Sequence, residues 1–378
     1  MKRFYKILFV LFLFLSIFVL VLRYQTFTYP DAQEIENRIN YLDRVVSEPL
    51  TSYSEISLLE KENHEFMLFT YAYTSYALTN LSVKDSTHQP RAEKIIKECI
   101  LKTLDKKITS VFGIDALCFE NDSIPEYSVL YLGHLNLMLG CYRLLSNDTT
   151  FLKLNDRISE SLFDRYTKSE FLNLESYPSS IWIPDNTVAL ASLKLYSHNT
   201  GTNYDIVCSK WVDYAKENFI DERNGILYST INYQDGKASE EARGSMIGWS
   251  IIFIYQYDEN FAIDLYSKYK KNFSSDFFVL RLFKERYQNN ETSLGDIDSG
   301  PIFLGYSIPA NEFALGGAII ADDKRTAKQL ERLIHIGAKT IDKNNEIRYK
   351  VRFIDMNISP MAEALVLNSL TITKWIKE

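Results

Sequence analysis

The chain of 378 residues is poor in the residue types that build metal sites and disulfide frameworks. It has five histidines and no HExxH motif, so the sequence predicts no metal site and no other cofactor. Its four cysteines show no CxxC spacing. Three pairings into two disulfides are open. Cys141 lies on the apolar face of its segment and is predicted to be a buried thiol.

Clustered positive charge is also missing after the first residues. The formal net charge is −7, and no run of Lys and Arg follows the N-terminal segment. Nucleic-acid binding needs clustered basic side chains that neutralise phosphates. The sequence therefore argues against nucleic acid as a partner.

One long segment, Ile7–Leu22, contains no charge, no glycine and no proline. Three basic residues precede it, and only Arg23 follows it closely. The stretch Tyr24–Tyr29 offers no small-x-small cleavage site, so an uncleaved membrane anchor is predicted in preference to a cleaved signal peptide. The excess of positive charge before the segment places the N-terminus in the cytoplasm.

The chain is accordingly divided into two parts. Residues 1–30 form the cytoplasmic N-terminus and the anchor, whose residues 7–22 have the lipid bilayer as partner. Residues 31–378 are expected to form one extracytoplasmic, periplasmic domain. The oligomeric state is left open.

Beyond the anchor, apolar residues recur mostly with the period of an α-helix. Six strongly apolar helices follow turn-rich segments, with successive markers 50 to 70 residues apart at His64, His134, Thr187, Ile247, Glu312 and Ala362. More amphipathic helices are predicted between them, at residues 92–104, 153–166, 204–218, 260–270 and 324–339. Only residues 226–231 and 347–351 are predicted as short hairpin arms.

Alternating buried and half-exposed helices are typical of an all-α (α/α)6 toroid. Small residues in the apolar helices would allow their backbones to approach closely at a crowded axis: Ala189, Ala191, Gly244, Gly248, Gly316 and Gly317. The prediction is six helical hairpins preceded by one transmembrane helix. The alternative is an ordinary multi-helix domain whose apolar helices merely form its core.

Several short motifs stand out in the sequence: GHLNLML at 133–139, PDN at 184–186, EARGS at 241–245, and DSGP at 298–301 followed by FALGGA at 313–318. In this order they resemble the linalool dehydratase/isomerase family. The resemblance implies an (α/α)6 barrel in which a histidine and an aspartate act with two cysteines. His134 matches the family histidine by its context. The loop corresponding to the family cysteines, residues 179–190, contains no cysteine here, so their roles do not carry over.

In such a toroid the starts of the inner helices converge on one mouth, which predicts the site. The expected catalytic residues are His134, Asp185, Glu241 and Asp298. The expected substrate-binding residues are Glu126, Tyr131, Trp182, Arg243, Asp296 and Tyr306. Purely structural roles are the alternative for some of these residues. Asp185 could cap a helix, and Glu241 could form an ion pair with Arg243.

Carboxyl groups in different environments supply what acid/base chemistry at a C–O bond needs. The leading interpretation is a membrane-anchored lyase or isomerase that dehydrates or hydrates a small molecule. One alternative is a glycoside hydrolase-like enzyme acting on a saccharide. The other is a non-catalytic toroid that binds a ligand or assists envelope assembly.

Overall fold

Helices dominate the computed structural model, which describes residues 2–59, 63–121, 123–287, 295–296, 299–354 and 356–376. In chain order the helices are α1 (Lys2–Tyr24), α2 (Ala32–Ser47), α3 (Glu55–Leu58), α4 (Glu65–Lys84), α5 (Gln89–Thr103), α6 (Lys106–Thr109), α7 (Leu117–Glu120), α8 (Val129–Leu145), α9 (Leu152–Lys168), α10 (Ile183–Thr200), α11 (Ile206–Asn218), α12 (Gly244–Ile254), α13 (Glu259–Phe273), α14 (Ile308–Ile320), α15 (Lys324–Gly337) and α16 (Pro360–Thr371).

Six of these helices form a closed inner ring. Helices α4, α8, α10, α12, α14 and α16 are buried over most of their length, and each contacts the next. The ring closes where α16 packs against α4. There the Asn80 Nδ2 donates to Asn368 Oδ1 at 3.0 Å, and Trp375 Nε1 donates to Asn80 Oδ1 at 2.7 Å. The predicted (α/α)6 toroid is confirmed.

Amphipathic helices form the outer ring and alternate along the chain with the inner ones. They are α2, α5, α9, α11, α13 and α15, and each packs against one or two inner helices. Five of them lie where the periodicity predicted them. The prediction omitted α2, although its buried Ile35, Ile39, Leu42 and Val46 follow a helical spacing.

Serine side chains begin three of the inner helices. The hydroxyls of Ser128, Ser307 and Ser359 accept the backbone N–H three residues later, which satisfies an otherwise unpaired donor at the start of α8, α14 and α16. Proline in the first turn of α10, α14 and α16 fits the same position, where its missing N–H costs nothing. The local sequence thus sets where α8, α10, α14 and α16 begin.

Short antiparallel strands connect the helices. They are β1 (Ile181–Trp182), β2 (Ile220–Asp221), β3 (Ile226–Leu227), β4 (Thr230–Ile231), β5 (Ala238–Glu240), β6 (Ser274–Phe277), β7 (Leu280–Phe283), β8 (Gly295–Asp296), β9 (Gly300–Pro301), β10 (Ala338–Lys343) and β11 (Glu346–Val351). Strands β3, β4 and β11 lie in the two segments predicted as hairpin arms. The β6–β7 hairpin was not predicted.

All four cysteines are free thiols, and Cys141 is buried, as predicted. The first helix, α1, is long and apolar enough to cross a membrane, with a mean hydropathy of 2.8 and no buried residue in its apolar window. At 1.5 Å per residue its 23 residues span roughly 35 Å.

Close packing of the inner ring generates a stability prediction. A Cβ added to Gly248 would lie 2.6 Å from the Cβ of Phe313 on the neighbouring helix. Gly248→Ala should therefore lower the free energy of unfolding by about 1–3 kcal/mol, because both backbones must shift. Urea unfolding of the full chain in detergent, followed by circular dichroism, measures this. Gly337→Ala is the matched control, since no described atom lies within 4 Å of its added Cβ. Equal stability of the two variants would contradict the packing argument.

Candidate functional site

A cavity of about 1350 Å³ opens at the end of the barrel where the inner helices begin. Its wall includes the first turns of α4, α10, α12, α14 and α16, together with the end of α15 and strand β11. The alternating topology causes this, because all six inner helices run in the same direction. The predicted convergence of helix starts on one mouth is found.

Apolar side chains make most of the cavity wall. They include Phe66, Phe69, Leu130, Met246, Trp249, Phe313, Leu330, Leu333, Ile334, Met361 and Val366. Such a wall binds hydrocarbon groups well and leaves the polar groups of a ligand dependent on a few placed partners.

Three carboxyl groups interrupt this apolar wall. Glu65 and Asp185 stand in the first turns of α4 and α10, and Glu312 is the fifth residue of α14; these helices are alternate members of the six-helix ring. They therefore approach the cavity from three directions. A fourth carboxyl, on Glu55 of α3, is held by the Tyr41 hydroxyl at 2.9 Å and by Arg44 at 3.0 Å.

Glu312 has an altered acidity. Burial raises the pKa of its carboxyl to about 7, and the negative charge of Glu363 on α16 adds to the effect. The side chain borders the cavity while protein surrounds it on the other sides. A protonated carboxyl is thus available as a proton donor near neutral pH.

Asp185 and Glu65 occupy different surroundings. Asp185 is 9% exposed, and its charge adds to burial in raising the pKa of the Tyr73 hydroxyl well above its ordinary value. The N-terminus of α10 favours the ionised form of a carboxyl placed there. Glu65 accepts a hydrogen bond from the Tyr177 hydroxyl, which orients it.

His134 lies beneath the cavity floor and does not face the cavity, which corrects the expectation for its side chain. It is fully buried, 5.4 Å by ring centroids from both Phe69 and Trp249, two residues of the cavity wall. Its Nδ1 shares a hydrogen bond of 2.8 Å with the Tyr76 hydroxyl. Burial lowers the pKa of His134 to about 3, so the imidazole is neutral at physiological pH.

Three polar atoms at this floor have no hydrogen-bond partner among the described residues. They are His134 Nε2, the Tyr73 hydroxyl and Trp249 Nε1. Their rings are neighbours, with centroid distances of 6.3 Å from Tyr73 to His134 and 5.7 Å from Tyr73 to Trp249. Buried polar groups normally pair, so these three indicate a place for a hydroxyl or water oxygen.

An ion-pair network supports the wall between α12 and α14. Arg243 Nε donates to Glu285 Oε1 at 3.0 Å, and both side chains are almost fully buried. Glu285 also accepts from the hydroxyls of Ser245 and Ser307, both at 2.7 Å. Arg243 reaches Asp296 at 2.8 Å as well. These contacts give Arg243 structural partners, and its substrate-binding role stays a prediction.

Of the predicted site residues, Asp185, Trp182 and Tyr306 lie on the cavity wall. Their chemical roles stay predictions. Trp182 Nε1 donates to Ser180 Oγ at 3.1 Å, and the Tyr306 hydroxyl donates to Ser275 Oγ at 2.8 Å.

Other predicted residues lie elsewhere, for identifiable reasons. Glu241 is half exposed and pairs with Arg223 at 2.8 Å, since it precedes α12 on an outward-facing loop. Tyr131 is buried in the core, where its hydroxyl donates to Thr103 O at 2.9 Å. Glu126 and Asp296 are exposed to solvent. Asp298 lies outside the described residues.

Sequence reasoning missed Glu65, Glu312 and Tyr73 as site residues. Glu65 and Glu312 had marked only helix starts, although an acidic residue within the first five positions of a strongly apolar helix was a usable signal. Tyr73 gave no such signal, because α4 is apolar or aromatic on every face.

The geometry can be compared with known proteins. Unsaturated glucuronyl hydrolase from Bacillus sp. GL1 is 10% identical, with a TM-score of 0.56 over 89% of this chain and 96% of that one. The GH76A α-1,6-mannanase of Salegentibacter sp. HEL1_6 is 11% identical, with a TM-score of 0.53 over 90% and 99%. An α-amylase from Clostridium perfringens is 12% identical, with a TM-score of 0.52 over 79% and 86%. At these identities the likeness shows the fold.

The amino-acid sequence itself matches a family model over part of the barrel. The matched residues, 154–278, run from α9 to the end of β6. They include the PDN and EARGS motifs. The resemblance read from the sequence is thereby confirmed: this segment of the (α/α)6 barrel carries the pattern of the linalool dehydratase/isomerase family.

Proposed function

We propose that the chain is a membrane-anchored enzyme that adds or removes water at a C–O bond of a largely apolar substrate. The observation that carries the proposal is Glu312, a carboxyl with a pKa raised to about 7 on the wall of an apolar cavity. The match to the linalool dehydratase/isomerase family over residues 154–278 supports the same reaction class.

The dehydration direction uses two carboxyls. Protonated Glu312 gives its proton to the substrate hydroxyl, and the C–O bond breaks with its electron pair going to oxygen, which leaves as water. Ionised Asp185 removes a proton from the adjacent carbon, whose electron pair forms the new C=C bond. Hydration is the same sequence reversed. Carboxyls with different acidities are what these two roles require.

Polar atoms beneath the cavity floor would hold a water molecule. They are the Tyr73 hydroxyl, His134 Nε2 and Trp249 Nε1, which have no hydrogen-bond partner among the described residues. His134 does this as a neutral imidazole, because its pKa is lowered to about 3 by burial.

The wall favours this reaction over cleavage of a saccharide. The solved structures of similar fold include glucuronyl hydrolase, mannanase and amylase enzymes, so glycosidic cleavage is the alternative activity. A saccharide has many hydroxyls, which would face the phenylalanine and leucine side chains without partners. A toroid that binds a ligand without converting it is the non-catalytic alternative.

Membrane attachment belongs to the same proposal. Helix α1 would be retained as a single-span anchor, with the basic residues Lys2, Arg3 and Lys6 on the cytoplasmic side. The barrel would then lie in the periplasm or another extracytoplasmic space.

A substrate panel tests the reaction class. The full chain in detergent is incubated with apolar tertiary and allylic alcohols and with aryl glycosides, in water enriched in ¹⁸O. Alkene formation from an alcohol, or ¹⁸O incorporation into it, supports the proposal. Release of aryl alcohol from a glycoside, or binding of alcohols without conversion, overturns it.

The pH dependence of Glu312 gives a second prediction. Because its pKa is raised, turnover should fall as pH rises through about 7. The raised pKa also makes the stability of the fold depend on pH. Protonated Glu312 stabilises the folded state fully below pH 4.5, its ordinary pKa, and this stabilisation is lost as the pH rises through about 7. Glu312→Gln should therefore abolish turnover while raising the free energy of unfolding at pH 8 by on the order of 2 kcal/mol.

Urea unfolding at pH 5 and pH 8 checks this expectation. Exposed Glu217→Gln on α11 is the control and should leave turnover and both unfolding curves unchanged. A Glu312→Gln variant that retains turnover would remove Glu312 from the proposed mechanism.

The base role of Asp185 gives a third prediction. Asp185→Asn keeps the size of the side chain and removes its charge, so turnover should fall by about 100-fold or more. Asp213→Asn, at an exposed position on α11, is the matched control. Initial rates at pH 6 measure both variants. Equal rates would show that Asp185 only stabilises the start of α10.

A further inference from the structure

The surface around the cavity mouth carries an unusual concentration of exposed apolar side chains. Outside α1, eleven large apolar residues of the described chain are more than half exposed. Eight of them belong to what we call the mouth rim: Phe277, Phe303, Leu304, Ile308, Ile336, Phe353, Ile354 and Met356. Apolar residues scattered singly over a surface need no explanation, whereas a group of this size marks an interaction site.

The mouth rim is continuous with the cavity. Phe303, Ile308 and Met356 line the cavity and are also 76%, 64% and 56% exposed. Phe277 packs on Tyr306 of the wall, with ring centroids 6.1 Å apart. Phe353 follows Arg352, whose guanidinium donates to Ala338 O at 3.1 Å at the cavity edge. An apolar path thus leads from the surface into the cavity.

Helix α1 joins the barrel beside this rim. Arg332, in the half of α15 that borders the cavity, donates to the carbonyl of Leu22 and to Gln25 Oε1. Phe27 N then bonds to Lys324 O at the opposite end of α15. The chain after α1 therefore runs away from the mouth, and α1 itself leaves the barrel on the mouth side.

The turn of the β6–β7 hairpin contacts both the end of α1 and α15. Arg23 Nη1, at the end of α1, donates to Phe278 O at 2.9 Å, and its guanidinium carbon lies 4.1 Å from the Phe278 ring centroid. Arg332 Nη1 donates to Val279 O at 3.0 Å on the same turn. The end of the apolar helix and the hairpin that carries Phe277 are thus held together.

We propose that the mouth rim inserts into the surface of the bilayer that α1 spans, and that the cavity takes its substrate from that bilayer. The occupant of the rim is lipid, because the long apolar helix α1, whose apolar window has no buried residue, ends beside it. The substrate class is then an amphiphile with a long hydrocarbon chain and an oxygen-bearing end. This inference rests on the proposed anchor and on the proposed reaction at a C–O bond.

Depth measurements on the full chain test the insertion. A single cysteine at Phe353→Cys carries an environment-sensitive NBD dye, in a Cys118→Ser background because the other three thiols are buried. The vesicles contain phosphatidylcholine, phosphatidylglycerol and a doxyl-labelled phosphatidylcholine. The dye at position 353 should shift to the blue and lose fluorescence by quenching. The dye at Ile206→Cys, at the start of α11 and the far end of the barrel, should show neither effect.

A dye at Phe12→Cys in α1 separates this inference from the anchor itself. Quenching at 12 and 353 supports both proposals. Quenching at 12 alone keeps the anchor and overturns the inserted rim, which would then be covered by protein. Quenching at neither position overturns both.

Loading of the cavity tests the source of the substrate. A pyrene-labelled C12 alcohol is the probe, and energy transfer from Trp182 and Trp249 on the wall reports its entry. The double variant Phe353→Asp and Ile354→Asp should slow loading from vesicles by about tenfold, because two apolar contacts with lipid are lost. Loading from detergent micelles should be unchanged. Equal slowing from both sources would indicate a damaged fold and overturn the proposal, as would no slowing from vesicles.

Discussion

Contact between the last inner helix, α16, and the first, α4, is the constraint on which the site depends. Asn80 couples them through hydrogen bonds to Asn368 and Trp375, residues nearly 300 positions away in sequence. Closure forces six helix starts to share one opening. Carboxyls that are separated by 120 to 130 residues along the chain, such as Glu65, Asp185 and Glu312, become neighbours of one cavity for that reason.

Ring closure also buries carboxyl groups near the site, and this changes their pKa values. Burying Glu312 costs stability whenever its carboxyl is ionised, and Glu363 is a second buried carboxyl whose pKa burial raises to about 7. Glu363 differs because Arg38 lies 3.6 Å away and opposes that rise. Glu363 is thus balanced by a basic partner, while Glu312 faces the cavity, where the proposed reaction would use its proton.

Periodicity predicted the fold well, since the inner helices are apolar on all sides and the outer ones are amphipathic. The site was harder to predict. Side-chain direction at the start of a helix is set by tertiary packing, so Asp185 points into the cavity while Glu241 pairs with Arg223 outside it. The direction of the His134 side chain was equally hard to predict. Its motif was recognised, but a motif does not reveal whether the imidazole ring lies in the cavity wall or one layer beneath it. In the sequence, Glu312 served only as the marker of a helix start. Its place on the cavity wall follows from ring closure, which the sequence does not show directly.

The junction at Arg332 has a consequence for how the molecule moves. Only seven residues separate α1 from α2, and hydrogen bonds hold the first of them to α15. A barrel tethered so tightly cannot tumble independently of α1. With α1 in a bilayer, as proposed, encounters with a lipid-dissolved molecule would be two-dimensional, and their frequency would follow the number of molecules per unit area of membrane instead of their bulk concentration.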